Sequence, residues 1–69
     1  MSETIEEELI TVRTRADGRG LKYVAREFLH NKYGKDAIDM IDVQRVAGRD
    51  KGYPVVRATF TLDHERATQ

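Results

Sequence analysis

The stretch Thr11-Val-Arg-Thr-Arg-Ala-Asp-Gly-Arg-Gly20 brings Arg13, Arg15 and Arg19 together with Gly18 and Gly20. A glycine pair ahead of a helix lets backbone N–H groups approach an anion at the positive end of the helix dipole. A dinucleotide fingerprint would need a third glycine where Tyr23 stands, and a P-loop would need the Gly-Lys-Ser/Thr triplet, which is absent. No specific nucleotide site is expected here. The stretch reads as a turn in which Asp17 helps to cap the helix that follows.

The other residues with chemical potential are few. Asp36, Asp39 and Asp42 have the spacing of an acidic metal cluster but lack the glycine and glutamate of a calcium loop. They are expected to keep that region soluble, or to pair with Lys32 and Lys35. There is no cysteine, the only serine is Ser2, His30 falls on the polar side of a helical pattern, and His64 is near the end of the chain. A base, a nucleophile and an orienting group cannot be assembled from this set. The expectation is a protein without catalytic residues, cofactor or metal.

The elements that would position these residues follow from periodicity. Leu9 to Arg15 is rich in β-branched residues, with Ile10, Val12 and Thr14 on one side and Thr11, Arg13 and Arg15 on the other, which predicts a half-buried strand. Leu21 to Tyr33 carries Leu21, Val24, Ala25, Phe28 and Leu29 at the spacing of an amphipathic helix, and Gly34 follows as a left-handed cap. A second strand is expected from about Met40 to Ala47, with Ile41 and Val43 on one face and Asp42, Gln44 and Val46 on the other, after a short helical turn near Asp36 to Asp39. Gly48 to Gly52 is the hairpin connection. The third strand, Tyr53 to Leu62, points Val56, Ala58, Phe60 and Leu62 one way and Tyr53, Val55, Arg57, Thr59 and Thr61 the other, with Pro54 near its start.

The fold class expected is α+β: one small β-α-β-β domain over residues 1–69, with one amphipathic helix packed on one face of a three-stranded mixed sheet. The ordered core is expected at about 9–62, with 1–6 and 64–69 as loose termini. Sixty-nine residues are near the lower limit for a core without staples, so a homodimer that covers an edge or the open face would add stability. The start of the chain lacks the charge and apolar run of a signal peptide or membrane span, and the absence of cysteine suits a reducing compartment, so the location expected is cytoplasmic.

Twelve basic and twelve acidic residues cancel, which removes the argument for nucleic-acid binding from overall charge. The charge is nonetheless arranged in blocks. Glu3, Glu6, Glu7 and Glu8 open the chain, seven basic residues lie between Arg13 and Lys35, and Arg45 to Arg57 is again positive. Such blocks either gather on a face or pair with one another. One arrangement is an acidic N-terminal arm folded over a basic face.

Strand parity places Arg13, Arg15 and Arg57 with Tyr53 on the face turned away from the helix, and groups Val46, Tyr53 and Val55 at its hairpin end. Apolar side chains grouped beside arginines have the composition of a protein contact. The leading expectation is therefore a small non-enzymatic binding protein, an adaptor or inhibitor of the kind that phages and mobile elements encode. It would dock on a protein partner through Arg13, Arg15, Val46, Tyr53, Val55 and Arg57. A second reading is an RNA- or DNA-binding module using Arg13, Arg15, Arg49, Lys51 and Arg57. A third is a homodimeric structural component. In size and layout the chain resembles several small phage-encoded proteins, including some anti-CRISPR inhibitors, and compact ribosome-associated modules. That resemblance is architectural, spans about residues 9 to 62, and carries no functional residue across.

Overall fold

Strand β1 spans Glu3–Thr11, helix α1 Leu21–Tyr33, β2 Ile38–Asp50 and β3 Tyr53–Asp63, with a 3-10 turn at Lys35–Ala37 leading into β2. The structure is a computed structural model that describes residues 3–13 and 20–67. The expected β-α-β-β order is present, in a small α+β domain with one helix packed on a three-stranded sheet. The strand order is β1-β3-β2, and both neighbouring pairs are antiparallel. β1 and β2 point the same way, but β3 lies between them, so the sheet is antiparallel rather than mixed. The most regularly apolar strand thereby takes the central position, where both edges are paired.

β1 starts at Glu3 rather than Leu9 and ends at Thr11 rather than Arg15. Its early start is permitted because it is an edge strand, where Glu3 and Glu7 stay exposed while Thr4 and Ile5 pair opposite Leu62 and Thr61. Its end has a backbone cause. Val12 donates to the Pro54 carbonyl at 2.8 Å, but Pro54 has no N–H to return the bond, so the ladder closes there. Thr14, Arg15, Asp17, Gly18 and Arg19 lie outside the described residues. The N-cap of α1 is Gly20, which makes no side-chain capping bond.

The core is built on the inward side of β3. Val56, Ala58, Phe60 and Leu62 are buried there with Ile10 and Val12 of β1, Ala25 and Leu29 of α1, and Ala37 and Ile38 where the 3-10 turn enters β2. Tyr33 packs on Phe60 with ring centroids 6.0 Å apart. Leu21, Ala25, Leu29 and Tyr33, four residues apart, form the packed ridge of α1. Phe28 falls beside that ridge and remains 43 % exposed, against the expectation of a buried position. Gly34 ends the helix, its N–H donating to the His30 carbonyl at 2.9 Å. Its φ of 105° is positive as expected, but its ψ of 139° places it outside the left-handed helical region, in territory open essentially to glycine.

β2 is longer and less regular than expected. Its register with β3 shifts between Met40 and Asp42, which makes Ile41 the extra residue of a bulge and leaves it exposed instead of beside Val43. A second irregularity, between Val46 and Arg49, uses Gly48 at φ 90°. Pairing then resumes as far as Asp50 and Tyr53, so the connection shrinks from Gly48–Gly52 to the two-residue turn Lys51–Gly52. After β3, the Asp63 carbonyl accepts from the Arg66 and Ala67 N–H groups, and Ala67 packs against the core, so this segment is a turn rather than a loose tail.

The hairpin turn supplies a test of the backbone. Lys51 and Gly52 have φ of 52° and 87°, the two positive values of a type I′ turn. A Cβ on Gly52 would meet nothing within 4 Å, so the cost of adding one is conformational. Gly52→Ala is expected to destabilise the protein by about 1 kcal/mol, whereas Lys51→Asn should stabilise it by roughly 0.5 kcal/mol. Urea midpoints at constant m-value measure both. A neutral Gly52→Ala would exclude this turn type.

Candidate functional site

With α1 covering one face of the sheet, the opposite face is the candidate surface. Antiparallel register sorts it into rows, each reading β1, β3, β2: Ile5, Thr61, Asp39; Glu7, Thr59, Asp42; Leu9, Arg57, Gln44; Thr11, Val55, Val46. Tyr53 and Asp50 follow at the hairpin end. Arg57, Tyr53, Gln44, Thr11, Thr59 and Thr61 lie where strand parity put them. Val46 and Val55 are direct cross-strand partners with Tyr53 next to them, so the expected hairpin cluster forms. Arg13 is exposed beyond the last paired residue of β1, and Arg15 lies outside the described residues.

The face is not basic, however. Asp42 lies on it as strand parity put it, extending β1 back to Glu3 adds Glu7, and the β2 register adds Asp39 and Asp50. Arg57 sits one row from Glu7 and Asp42, though among the described residues no salt bridge joins it to either. The same extension adds two apolar side chains that the shorter strand did not bring into consideration. Ile5 is 70 % and Leu9 61 % exposed, and with Tyr53 at 42 % they are the large apolar groups of this face. The signal for them was present in the alternation Ile5, Glu7, Leu9, Thr11, but the surrounding glutamates masked it.

The acidic N-terminal segment is thus a strand within the sheet, not an arm folded over it. Its attachment to the helix is electrostatic. Lys32 of α1 donates to Glu8 at 2.8 Å, and the Tyr33 hydroxyl donates to the other Glu8 oxygen at 3.1 Å. Lys32 therefore pairs with β1 rather than with Asp36, Asp39 or Asp42. At the start of the strand, Thr4 Oγ1 donates to Glu6 at 2.6 Å and lies 2.8 Å from His64 Nε2. At the far end, Thr11 donates to Asp50 at 2.9 Å. Two outer strands are normally about 9.6 Å apart across a central one, so this bond means that the hairpin curls over the open face toward β1.

The hairpin cations are partly committed. Arg49 donates to the Gly52 carbonyl at 3.2 Å, bracing the turn, and Lys51 is the turn residue itself. A shallow hollow beside α1, lined by Lys22, Tyr23, Arg26 and Met40, has the Arg26 guanidinium 5.7 Å from the centre of the Tyr23 ring and no carboxylate in its lining. No group of three or more histidine, aspartate or glutamate side chains among the described residues could hold a metal ion. No described helix is long and apolar enough to cross a membrane. Comparison with protein-family models, curated proteins and solved structures finds no match to this chain.

The Glu8 contact gives β1 a measurable pH response. The hydrogen bond to Glu8 raises the Lys32 ammonium above its ordinary 10.5, with desolvation opposing and the Glu8 charge adding to the rise. A cation with a raised folded-state value contributes stability fully below its unfolded value and loses it as pH climbs through the folded one. Lys32 is 45 % exposed on its side chain, so the pair is worth at most about 1 kcal/mol. Lys32→Met should cost a few tenths to about 1 kcal/mol at neutral pH. That difference from the unsubstituted protein should shrink only above pH 10.5. Chemical denaturation of both proteins across alkaline pH measures it, and a difference that vanished near neutrality would disprove the assignment.

Proposed function

We propose that this is a small non-enzymatic binding protein, an adaptor or inhibitor, that docks on another protein through the open face of its sheet. One observation carries the reading: the face left uncovered by the helix presents Ile5, Leu9 and Tyr53 in exposed positions around Arg57. Arginine and tyrosine anchor protein interfaces, and aliphatic groups beside them supply area to be desolvated. Val46 and Val55, half-buried cross-strand partners of the hairpin, extend the apolar surface toward Tyr53.

The acidic residues of the face favour a protein over a nucleic acid. A phosphate backbone approaching Arg57 would also approach Glu7 and Asp42, and each carboxylate offsets part of the attraction. A partner protein can meet both signs of charge with its own.

The test places a photo-crosslinking amino acid at Leu9, and in a second protein at Glu27 on the exposed side of α1. The expected outcome is a discrete protein adduct from Leu9 and none from Glu27. The adduct should fall at least about tenfold when Tyr53→Ala or Arg57→Glu is added, with unchanged circular dichroism. Equal crosslinking from both positions would overturn the reading. So would tight binding of oligonucleotides that weakens steeply with added salt, which would favour the nucleic-acid alternative.

A further inference from the structure

β1 is the edge of the sheet that nothing interrupts. Its register with β3 runs from Glu3 to Thr11 without a shift, whereas β2, the other edge, is broken at Met40/Asp42 and again at Val46/Arg49. Bulges, prolines and lysines are the usual devices that keep an edge from pairing with another chain. β1 has none of them.

The phase of its free hydrogen-bonding groups follows from one contact. Val12 N–H points at β3, donating to Pro54. Because these groups alternate along an antiparallel strand, Ile10, Glu8, Glu6 and Thr4 also turn theirs toward β3. The N–H and C=O groups of Ile5, Glu7, Leu9 and Thr11 therefore face outward along the free edge. The same residues carry the side chains of the open sheet face, so backbone and side-chain recognition elements coincide.

Charge then selects what can pair there. Glu3, Glu6, Glu7 and Glu8 all belong to β1, and among the described residues only Glu8 is held by a cation, Lys32. A second copy of this chain is a poor occupant in the registers that use most of β1. A symmetric antiparallel pairing centred on Ile5 sets Glu3 against Glu7, and pairings centred on Glu6, Glu7 or Glu8 set a glutamate against its own copy. Like charges directly opposite are destabilising. The glutamates act against self-pairing while leaving the edge open to a strand of opposite charge.

We propose that β1 accepts a basic, extended segment of a partner protein as a fourth strand, antiparallel to β1. This rests on the open-face reading above and names the chemistry of the partner. The register specifies its side chains. Opposite Leu9 and Ile5 the segment carries apolar residues that cover those two exposed groups. Opposite Glu7 on the open face and Glu6 on the helix side it carries lysine or arginine. Opposite Glu8, already held by Lys32 and Tyr33, no charge is required. Read along the partner, the motif is apolar, any residue, basic, basic, apolar. Main-chain bonds supply affinity in this mode, and alternate side chains supply specificity.

The experiment selects random short linear peptides displayed on phage against the full chain, then measures synthetic versions of the enriched peptides by fluorescence anisotropy. Enrichment of the apolar-x-basic-basic-apolar motif is expected, with affinity falling at least about tenfold for Glu7→Lys. N-methylation of the peptide amides on one alternating set should abolish binding, and on the other set should be tolerated. Glu7→Pro removes an outward donor without touching the bonds to β3, so it should weaken binding more than Glu7→Gln. Should Glu7→Pro unfold the chain, the methylated peptides give the same information. Failure to enrich any peptide, or enriched peptides indifferent to both Glu7→Lys and N-methylation, would overturn the proposal. If those peptides still responded to Tyr53→Ala or Arg57→Glu, the open-face reading would survive alone; if they responded to neither set, it would fall as well. Sedimentation as a dimer that Glu7→Pro dissociates would assign the edge to a second copy and also overturn it.

Discussion

β3 is the member on which the rest of the molecule depends. It is the only strand paired on both edges, and it contributes Val56, Ala58, Phe60 and Leu62 to the buried core. Phe60 is the largest fully buried side chain and receives Tyr33 from the helix. A side chain of that size contributes about 1.5–3 kcal/mol on burial, a large share of what a domain this small can accumulate. The limits of β3 also set the limits of its neighbours. Pro54, lacking a donor, ends the β1 ladder at Thr11, and the turn at Lys51–Gly52 holds β2 in register at the opposite side.

A central strand with alternating character divides the protein into two unequal surfaces. Its inward residues are apolar and demand the helix; its outward residues, Tyr53, Val55, Arg57, Thr59 and Thr61, can be left to solvent. α1 is long enough to cover about 20 Å, against a largest molecular extent of 38 Å, so the hairpin projects past it. At that end the Thr11–Asp50 bond joins the two outer strands across the open face, and Val46 and Val55 are half-buried. On β1, Ile5 and Leu9 remain open. With Tyr53 they place three large exposed apolar groups on one edge and its adjoining face, while Tyr23 and Phe28 are exposed on α1 and Ile41 at the β2 bulge.

Much of this was legible in the sequence because local pattern and tertiary demand agree there. The stripe of α1, the alternation of β3, the glycine after the helix and the element order all follow from spacing. The misplaced features have physical reasons of their own. Four glutamates in Glu3–Glu8 suppress any strand signal, although an edge strand tolerates them because one side and one edge stay hydrated. Strand order depends on which pairing satisfies most backbone groups, and no residue type announces it. The bulge at Ile41 adds one residue to one strand, so a period-two reading of β2 fails at Met40 and Ile41, while Asp42, Gln44 and Val46 beyond it keep the face read for them. The site was affected most, since the earlier start of β1 adds Glu7 and the bulged register of β2 adds Asp39, so that with Asp42 the carboxylates outnumber Arg57.

The net charge of zero conceals how these blocks are used. If the acidic and basic segments merely neutralised one another, each glutamate of β1 would find a cation from the helix or hairpin. Among the described residues only Glu8 does, through Lys32, and that contact serves to fasten the edge strand to α1. Glu3 and Glu7 are left in water with no ion pair among the described residues, at a position where neutral β-branched residues would form a better strand by propensity. Neutral residues there, however, would leave a continuous apolar edge able to pair with any extended chain, including its own copies. Retaining carboxylates at the edge lowers strand propensity slightly and works against those competitors. The surface that results is apolar enough to be worth covering and charged enough to discriminate among the segments that could cover it.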